Sequence, residues 1–326
     1  MMSIKPTDKR LWKGRDEPRF GQSNYWHELV QCCQLNDITS TQHKQIILLG
    51  YACEEGVRRN QGRLGAAEGP DAIRKMMAVL PNHFETKIGL FDVGNFECSD
   101  QELEDVQTFL GHSVAKLLQL GTFPVLLGGG HDIAYAHYTG IRAFLNQALK
   151  KESIGVINLD AHFDLRSKEQ GNTSGTPFFQ MAKDCQEEGQ EFHYLCLGIQ
   201  KAANTKVLFD TAERLGAEWL ESSDYTINNW EDIEHKLNSF LAKVDHVYLT
   251  IDLDGFSSAY APGVSAPSPM GFTPDVVLKT LEVLFQSKKV ISMDLAEMNP
   301  VYDQDNATAR LAARLVHFAM DLLTKA

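Results

Sequence analysis

Long hydrophobic runs are absent from this 326-residue sequence, although 43% of its residues are apolar. A membrane-spanning helix needs about 20 consecutive apolar residues, so none is predicted. The first 20 residues are polar and charged and contain no apolar core of a secretory leader. Basic residues are also scarce, with 31 Lys and Arg against 43 Asp and Glu. The net charge of −12 argues against nucleic-acid or anionic-membrane partners, because both call for clustered basic side chains.

Cysteine is sparse and unpatterned. None of the six cysteines belongs to a CxxC pair or to a spacing typical of a disulfide framework. We therefore expect reduced thiols, and in the absence of a leader we expect a cytoplasmic protein. Gly/Ser-rich linkers, low-complexity tracts and repeats of fixed period are lacking too. The sequence predicts one domain over residues 1–326, with residues 1–37 as an N-terminal extension packed on it.

Short apolar or β-branched runs alternate with longer segments of helical apolar spacing. The runs are apolar at nearly every position, which predicts parallel strands covered by helices on both faces of a sheet. Eight predicted strands also fit a (β/α)8 barrel, and the sequence leaves their order open. The predicted strands are 45–51, 88–93, 123–127, 153–159, 192–198, 217–220, 246–251 and 289–293. The clearest predicted helices are 103–120, 133–149, 233–244, 275–285 and 307–323.

Three polar motifs stand where predicted strands end: GGGHD at 128–132, DAHFD at 160–164 and DLDG at 252–255. In an extended segment residues i, i+2 and i+4 point to one side, so Asp160, His162 and Asp164 should project together. Asp252 and Asp254 should do the same. In an open α/β sheet and in a barrel alike, ligands bind beyond the carboxyl ends of the strands. The motifs therefore predict a site at that edge.

With His131, these side chains make two imidazoles and four carboxylates, an oxygen-rich set that suits Mn²⁺ better than structural zinc. The glycines before His131 allow a tight turn and a close approach, whereas no phosphate-binding glycine motif is present. A water held between two ions would lose its proton near neutral pH and become the nucleophile. Six ligands for two ions require sharing: we assign His131 and Asp164 to one ion, His162 and Asp254 to the other, and Asp160 and Asp252 as bridges.

GGGHD, DAHFDLR, DLDGF and DLAEMNP occur in this order over more than half the chain, and the set resembles the ureohydrolase superfamily of arginase and agmatinase. The resemblance implies a three-layer α/β/α domain with a mainly parallel eight-stranded sheet. It also implies a centre of two Mn²⁺ per subunit, hydrolysis of a guanidino or amidino carbon, and often a symmetric homo-oligomer. The ligand roles assigned above agree with it.

One loop departs from the arginase and agmatinase pattern. Those enzymes usually carry a histidine before the glycine in the loop after DxHxD, but the loop at 171–178 has Ser174 there. Its SGTPF sequence, GRLGAAEGP at 62–70 and YAPGVSAPS at 260–268 are similar to the formimidoylglutamase branch. This similarity implies hydrolysis of N-formimidoyl-L-glutamate to L-glutamate and formamide, a step of histidine breakdown.

Further side chains fit such a substrate. Glu297 follows the last predicted strand, where its carboxylate would bind a cationic formimidoyl group. Arg166 occupies the next alternate position after the DAHFD motif and could bind a substrate carboxylate bidentately, with Arg63 as a second candidate. Ser174 would add a hydroxyl to substrate binding. Asp254 would also accept the nucleophile's proton and help deliver it to the departing amine.

Two other functions remain open. An agmatinase-like or guanidino-acid ureohydrolase would release urea, and a non-catalytic homologue would bind metal without turnover. Nothing in the residues identifies the proton donor to the leaving amine once the usual histidine is missing. His137 lacks partners at ligand spacing and is predicted to be structural, whereas Arg58 and Arg59 are predicted to be solvated surface charges.

Overall fold

The computed structural model describes residues 3–15, 17, 23–84, 88–98, 103–147, 152–167, 169 and 171–325. Within them, nine strands form one sheet in which each pair of neighbours is parallel. The strands are β1 Gln31–Cys32, β2 Gln45–Ala52, β3 Gly89–Glu97, β4 Phe123–Gly128, β5 Ile154–Leu159, β6 His193–Ile199, β7 Glu218–Glu221, β8 His246–Asp252 and β9 Val290–Ala296.

Helices cover both faces of this sheet, because its central strands are apolar on both sides. In β2, Ile46 and Leu48 join one hydrophobic cluster, whereas Ile47 and Leu49 join the other. The described helices are α1 Trp26–Leu29, α2 Glu55–Arg59, α3 Gly69–Ala78, α4 Leu103–Gln119, α5 Ile133–Leu145, α6 Pro177–Glu187, α7 Lys206–Arg214, α8 Trp230–Leu241, α9 Pro274–Gln286 and α10 Ala307–Lys325. The first cluster holds side chains of α3, α8, α9 and α10, and the second holds those of α4, α5, α6 and α7. The predicted three-layer α/β/α class is confirmed.

The strand order is β1-β3-β2-β4-β9-β8-β5-β6-β7, an open sheet with two edges. A closed barrel is therefore wrong. All eight predicted strands are present, and the predicted count is one short because β1 adds two residues, Gln31 and Cys32, beside Phe91 and Asp92. Strands β4, β9, β8 and β5 are neighbours at the centre of the sheet. The segments that follow these four strands therefore meet at one place on its carboxyl edge.

None of the six cysteines, all of which are among the described residues, forms a disulfide, in agreement with the prediction from their spacing. Among the described residues, no helix has the length and apolar character needed to cross a bilayer. The predicted helix 133–149 ends earlier, at Leu145, and its last two positions lie outside the described residues. The predicted loop 171–178 is shorter than expected, because α6 begins at Pro177, whose fixed φ suits the first position of a helix.

The described part of the N-terminal segment contacts a buried ion pair that joins α3 to β3. Arg74 of α3 donates from Nε and Nη2 to the two carboxylate oxygens of Asp92, at 2.8 and 2.9 Å, and both side chains are fully buried. Trp12 donates from Nε1 to Asp92 Oδ2 at 2.8 Å. Lys5 forms an antiparallel bridge with Asn95. Asp92 thus joins the N-terminal segment, α3 and β3.

Replacing Asp92 by Ala should lower the free energy of unfolding by about 3–5 kcal/mol, because it removes the buried carboxylate that pairs with Arg74 and leaves this guanidinium with only a longer pair to the partly exposed Asp71. Urea denaturation followed by circular dichroism measures this change. The matched control is Glu282→Ala, which breaks the exposed pair of Glu282 with Lys279 on α9 and should leave the midpoint unchanged. Equal midpoints for the two variants would refute the prediction.

Candidate metal centre

A first group of ligand atoms surrounds His131, three residues beyond the end of β4. Its Nδ1 lies 3.2 Å from Asp160 Oδ2, 3.0 Å from Asp164 Oδ2 and 2.9 Å from Asp252 Oδ2. The side chains are buried or nearly so, with 14% of Asp164 exposed as the largest value. One ligand atom from each residue lies within 4.8 Å of every other, close enough to share one ion.

A second group adjoins the first and shares Asp160 with it. His162 Nδ1 lies 3.5 Å from Asp160 Oδ1 and 3.2 Å from Asp254 Oδ2. The three residues again offer ligand atoms within 4.8 Å of one another. Asp160 stands in both groups, where the sequence placed a bridge, whereas Asp252 stands in the first group alone. The role of Asp252 as a second bridge stays a prediction.

The local backbone brings these side chains together in a different way from the one expected. Asp164 has a φ of +48°, and Asp254 lies in a 3-10 turn, Leu253–Gly255. In each segment the first aspartate accepts a hydrogen bond from the backbone N two residues later. His162 N donates to Asp160 Oδ1 at 2.7 Å, and Asp254 N donates to Asp252 Oδ1 at 2.8 Å. The assumption of continuously extended segments is therefore wrong. Beyond the sheet no neighbouring strand holds the chain straight, and aspartate favours local turns.

The glycines before His131 are needed for close backbone packing. Gly129 N donates to Tyr51 O at 2.8 Å, and Gly130 N donates to Cys53 O at 3.0 Å. A Cβ on Gly129 would lie 1.9 Å from Cys53 O, so any larger residue would push the loop away from β2. Because glycine has no Cβ, this loop can pack against the end of β2 and place His131 next to the aspartates.

Charge crowding raises the proton affinity of most of these groups. Burial raises the pKa of Asp164 to about 6 and, with Asp252 beside it, raises the pKa of Asp254 well above its usual range. Burial opposes ionisation of Asp160 too, but contacts with the imidazoles of His131 and His162 hold its pKa below the usual range. Burial disfavours the charged form of His131, yet the negative charge of Asp252 and the other two carboxylates outweighs it and raises the pKa. A divalent cation would relieve this crowding.

The donor set fits a binuclear metal site. Within the described part of the chain, buried His131 Nδ1 makes no aligned hydrogen bond, although three carboxylate oxygens lie within 3.2 Å of it. Buried Asp254 Oδ1 also has no hydrogen-bond partner there. Atoms arranged in this way surround a common point rather than pairing with one another. Carboxylates and imidazoles together favour a borderline-hard ion such as Mn²⁺.

Glu297 lies against this cluster, one residue beyond β9. Its backbone has a φ of +65° and donates from N to Gly129 O at 2.8 Å, while Oε1 accepts from His131 N at 2.9 Å. Glu297 therefore holds the glycine loop in place from the end of β9, the strand next to β4. Burial, reinforced by the charge of Asp252, raises the pKa of Glu297 well above its usual range. Its side chain lines the same cavity as His162 and Asp254.

That cavity, of about 310 Å³, lies above the metal ligands. Arg166 and Ser174 line it, together with Asn60 and Gln61. Among the described residues no carboxylate pairs with the exposed guanidinium of Arg166, and its backbone N donates to Gly175 O at 3.0 Å. The cavity thus has acidic ligands at its floor and an unpaired cation at its rim.

Arg63 also lines the cavity, but its guanidinium is engaged. It donates from Nε to Ser265 O at 2.8 Å and from Nη2 to Val264 O at 2.5 Å, and it stacks on Tyr302 at 3.9 Å. Arg63 thus holds the loop around 264–265 in place; its contact with substrate stays a prediction.

Arg59 is not the solvated charge expected from the sequence. Its Nη1 donates to Glu104 Oε1 at 2.8 Å and to Asn172 O at 3.3 Å, and its Nε donates to Glu55 Oε1 at 2.8 Å. Ser174 N donates to Gly56 O at 3.1 Å in the same region. Arg59 and α2 therefore fix the loop that carries Ser174.

Sequence reasoning missed polar side chains that lie two residues before a metal ligand on the same strand. Asn158 Nδ2 donates to Asp160 Oδ2 at 2.9 Å, and Thr250 Oγ1 lies 3.0 Å from His131 Nε2. Alternate residues of a strand share a face, so Asn158 and Asp160, and Thr250 and Asp252, point to one side of the sheet. A polar residue at i−2 in an otherwise apolar strand was the signal.

The model of the arginase family matches residues 44–321 of the chain. Among curated proteins, the formimidoylglutamase of Clostridium tetani is 39% identical over 99% of this chain and 97% of its own length. That of Chromobacterium violaceum is 46% identical over 94% and 96%.

Solved structures show the same fold. Trypanosoma cruzi formiminoglutamase with Mn²⁺ matches with a TM-score of 0.74 at 24% identity, covering 89% of this chain and 98% of that chain. Arginase from Bacillus subtilis matches with a TM-score of 0.70 at 24% identity, covering 86% and 98%. Because the family model spans most of the sequence and the curated relatives align over nearly all of it, this chain belongs to the arginase family of hydrolases.

Proposed function

We propose that this chain is a manganese-dependent formimidoylglutamase, which converts N-formimidoyl-L-glutamate and water to L-glutamate and formamide in histidine breakdown. The observation that carries the proposal is the pair of ligand groups sharing Asp160 beside a cavity that is also lined by Arg166, with which no described carboxylate pairs. The names of the relatives at 39 and 46% identity support the same substrate. A dicarboxylate with a cationic amidine complements both ends of such a cavity.

Two Mn²⁺ per subunit would be held by His131, Asp164, Asp252 and Asp160 on one side, and by Asp160, His162 and Asp254 on the other. When bound, such ions lower the pKa of a water towards roughly 7 and so supply hydroxide at neutral pH. The clustered aspartates would bind the two cations, whose positive charge lowers the pKa of that water.

Glu297 is the residue that we assign to the amidine. It is buried at the floor of the cavity beside the ligands, and its position is fixed by the bonds of its backbone N to Gly129 and of its Oε1 to His131 N. An amidinium and two cations would favour its ionised form, so a carboxylate would bind the substrate in a charge-assisted pair. The pair would orient the formimidoyl carbon over the metal ligands.

Asp254 is the residue that we assign to proton transfer. Among the described residues its buried Oδ1 has no hydrogen-bond partner, and its Oδ2 lies 3.2 Å from His162 Nδ1. Asp254 lines the cavity, so its carboxylate would accept the proton of the attacking water and return it to the leaving amine. That return is necessary, because an alkylamide anion is far too basic to depart.

Arg166→Ala should raise KM by roughly 10- to 100-fold and change kcat little, because a hydrogen bond to a charged group contributes about 1.5–3 kcal/mol. The reason is that the guanidinium at the rim would bind the glutamate carboxylate equally in the ground and transition states. Steady-state kinetics with formimidoylglutamate measures the split. The control is Arg58→Ala, whose side chain is exposed and pairs with Glu55 outside this cavity. A fall in kcat at constant KM would contradict the assignment.

The proposed function is tested by incubating the Mn²⁺-loaded chain with a panel of formimidoylglutamate, agmatine and guanidino acids. Glutamate and formamide from the first compound, without urea from the others, are the expected products. A much higher kcat/KM for a guanidino compound, with urea release, would identify a ureohydrolase instead. Tight binding of formimidoylglutamate without product over long incubation would identify a non-catalytic homologue.

A further inference from the structure

A chain of buried polar side chains leads from the interior of the domain to His131. His131 Nε2 lies 3.0 Å from Thr250 Oγ1, and Thr250 Oγ1 donates to Asp294 Oδ1 at 2.6 Å. Asp294 Oδ2 lies 2.6 Å from His137 Nδ1. Thr250, Asp294 and His137 have no exposed surface. Polar groups at such depth are costly unless each is hydrogen bonded, so these contacts are specific structural features.

The far end of the chain fixes Asp294 as an acceptor. Its Oδ2 accepts from Tyr248 OH, and His137 Nδ1 lies 2.6 Å from the same oxygen. Ser292 Oγ, which lies 2.6 Å from His137 Nε2, donates its own proton to Pro124 O at 2.9 Å. Oδ1, the other carboxylate oxygen, carries no proton and offers Thr250 only an acceptor position.

Counting protons then determines the state of His131. The hydroxyl of Thr250 has one proton, which it gives to Asp294, so its oxygen can only accept from His131. His131 must therefore carry a proton on Nε2. A neutral imidazole with that proton keeps its lone pair on Nδ1, the atom that faces Asp160, Asp164 and Asp252. This is the tautomer that can bind a cation among those carboxylates.

We propose that Asp294 and Thr250 are positioning residues that select the tautomer and ring orientation of His131, and so set the affinity of the ion held by the His131 group. The proposal rests on the metal centre in the proposed function. It predicts that only one of the two ions depends on Thr250 and Asp294 for its affinity. Among the described residues, the ring of His162 contacts Asp160 and Asp254 but no buried hydroxyl–carboxylate pair of this kind. The ion of the His162 group should therefore be insensitive to Thr250.

Two substitutions at Thr250 separate the hydroxyl from the shape of the side chain. Thr250→Val removes the hydroxyl and should weaken one of the two Mn²⁺ ions by about 10- to 100-fold, the usual effect of removing a partner of a metal-binding histidine. The second ion should keep its affinity. Thr250→Ser retains the hydroxyl and should restore both ions to wild-type affinity.

Asp294→Asn gives a sharper test, because it reverses one hydrogen bond while keeping the size of the side chain. The carbonyl oxygen would stay with Tyr248 and His137, so the new amide nitrogen would donate to Thr250. The proton of Thr250 would then turn towards His131 Nε2, which places the ring proton on Nδ1, the ligand atom. A selected wrong tautomer is costly: the Asp-to-Asn change of a serine protease triad leaves the geometry intact yet lowers kcat about 10⁴-fold. Asp294→Asn should therefore weaken the same ion more than Thr250→Val does.

The experiment uses the full chain, freed of metal and titrated with Mn²⁺ by electron paramagnetic resonance and isothermal calorimetry. Thr280→Val is the matched control: Thr280 is fully buried in α9 and bonded to Tyr225 OH at 2.8 Å, so it reports the loss of a buried hydroxyl elsewhere. This control should bind two ions with wild-type affinity.

The supporting result is the order wild type and Thr250→Ser, then Thr250→Val, then Asp294→Asn, for one ion alone. Wild-type affinity in both Thr250→Val and Asp294→Asn, or equal weakening of the two ions, would overturn the proposal. If the Val variant folds poorly, the nearly isosteric Asp294→Asn decides the matter. No substrate is present in these titrations. A negative product assay would therefore not change their interpretation, and a negative titration would not change that of the product assay.

Discussion

Asp160→Ala is expected to abolish hydrolysis and to lower the Mn²⁺ content below one ion per chain. Asp160 offers ligand atoms to both groups, so its loss weakens both ions at once. We expect kcat/KM to fall by more than about 10³-fold, since changing only the partner of a metal ligand already costs about 10- to 100-fold. The released aspartates would also be left with their mutual repulsion uncompensated.

Metal content after gel filtration and the rate of glutamate release measure the effect of Asp160→Ala. The matched control is Asp275→Asn, which removes an exposed carboxylate in the first turn of α9 and should keep full activity. Near-normal turnover with two bound ions in Asp160→Ala would show that the shared ligand has been assigned wrongly.

Removal of the metal should lower thermal stability, and the loss should grow as pH rises from 4 to above 6. An ion at 1,000 times its Kd stabilises the folded state by about 4 kcal/mol. The metal-free protein must also hold its carboxylates close together. Asp164 has a pKa near 6 when folded against an ordinary value of 3.8, and those of Asp254 and Glu297 are also raised.

A raised folded-state pKa of a carboxyl group means that its protonated form is favoured by folding. Its contribution to stability is therefore complete below pH 3.8 and is lost as pH rises through about 6 for Asp164. Bound cations remove this penalty. Differential scanning calorimetry with chelator or with excess Mn²⁺, between pH 4 and pH 8, measures the gap in Tm. A difference in Tm between metal-loaded and metal-free protein that shrinks as pH rises would contradict the predicted direction. Asp164→Asn, which cannot ionise there, should flatten the pH dependence of the metal-free protein.

The fold could be predicted from sequence wherever burial on both faces left a continuous apolar run. Strand β8 is an example, since it is buried from Val247 onwards and is apolar there except at Thr250 and Asp252, near the site. Strand β1 could not be predicted, because two residues carry no pattern and pair only once β3 is in place. The start of α6 at Pro177 was hidden by a loop-like composition. The order of strands depends on long-range packing, which no local pattern records.

The candidate site divides in the same way. The ligand side chains were evident because GGGHD, DAHFD and DLDG concentrate unusual residues within a few positions. The partners of these ligands were not evident, since Thr250 and Asp294 reach His131 only after β9 has paired with β4 and β8 has paired with β9. Arg63 differs from both. Its cation suggested a substrate contact, which stays a prediction, and the structure adds that two of its donors bind the loop around 264–265.

The strand order also constrains when the site can form during synthesis. Strands β4 and β5 follow one another along the chain, yet β9 and β8 lie between them in the sheet. A nascent chain that ends before β8 would therefore carry His131 and Asp160 on strands with unpaired edges, without the groups that complete either ligand set. Such edges invite pairing with other chains. The C-terminal strands must insert into the middle of a partly formed sheet, so metal binding would report that the last quarter of the protein has folded.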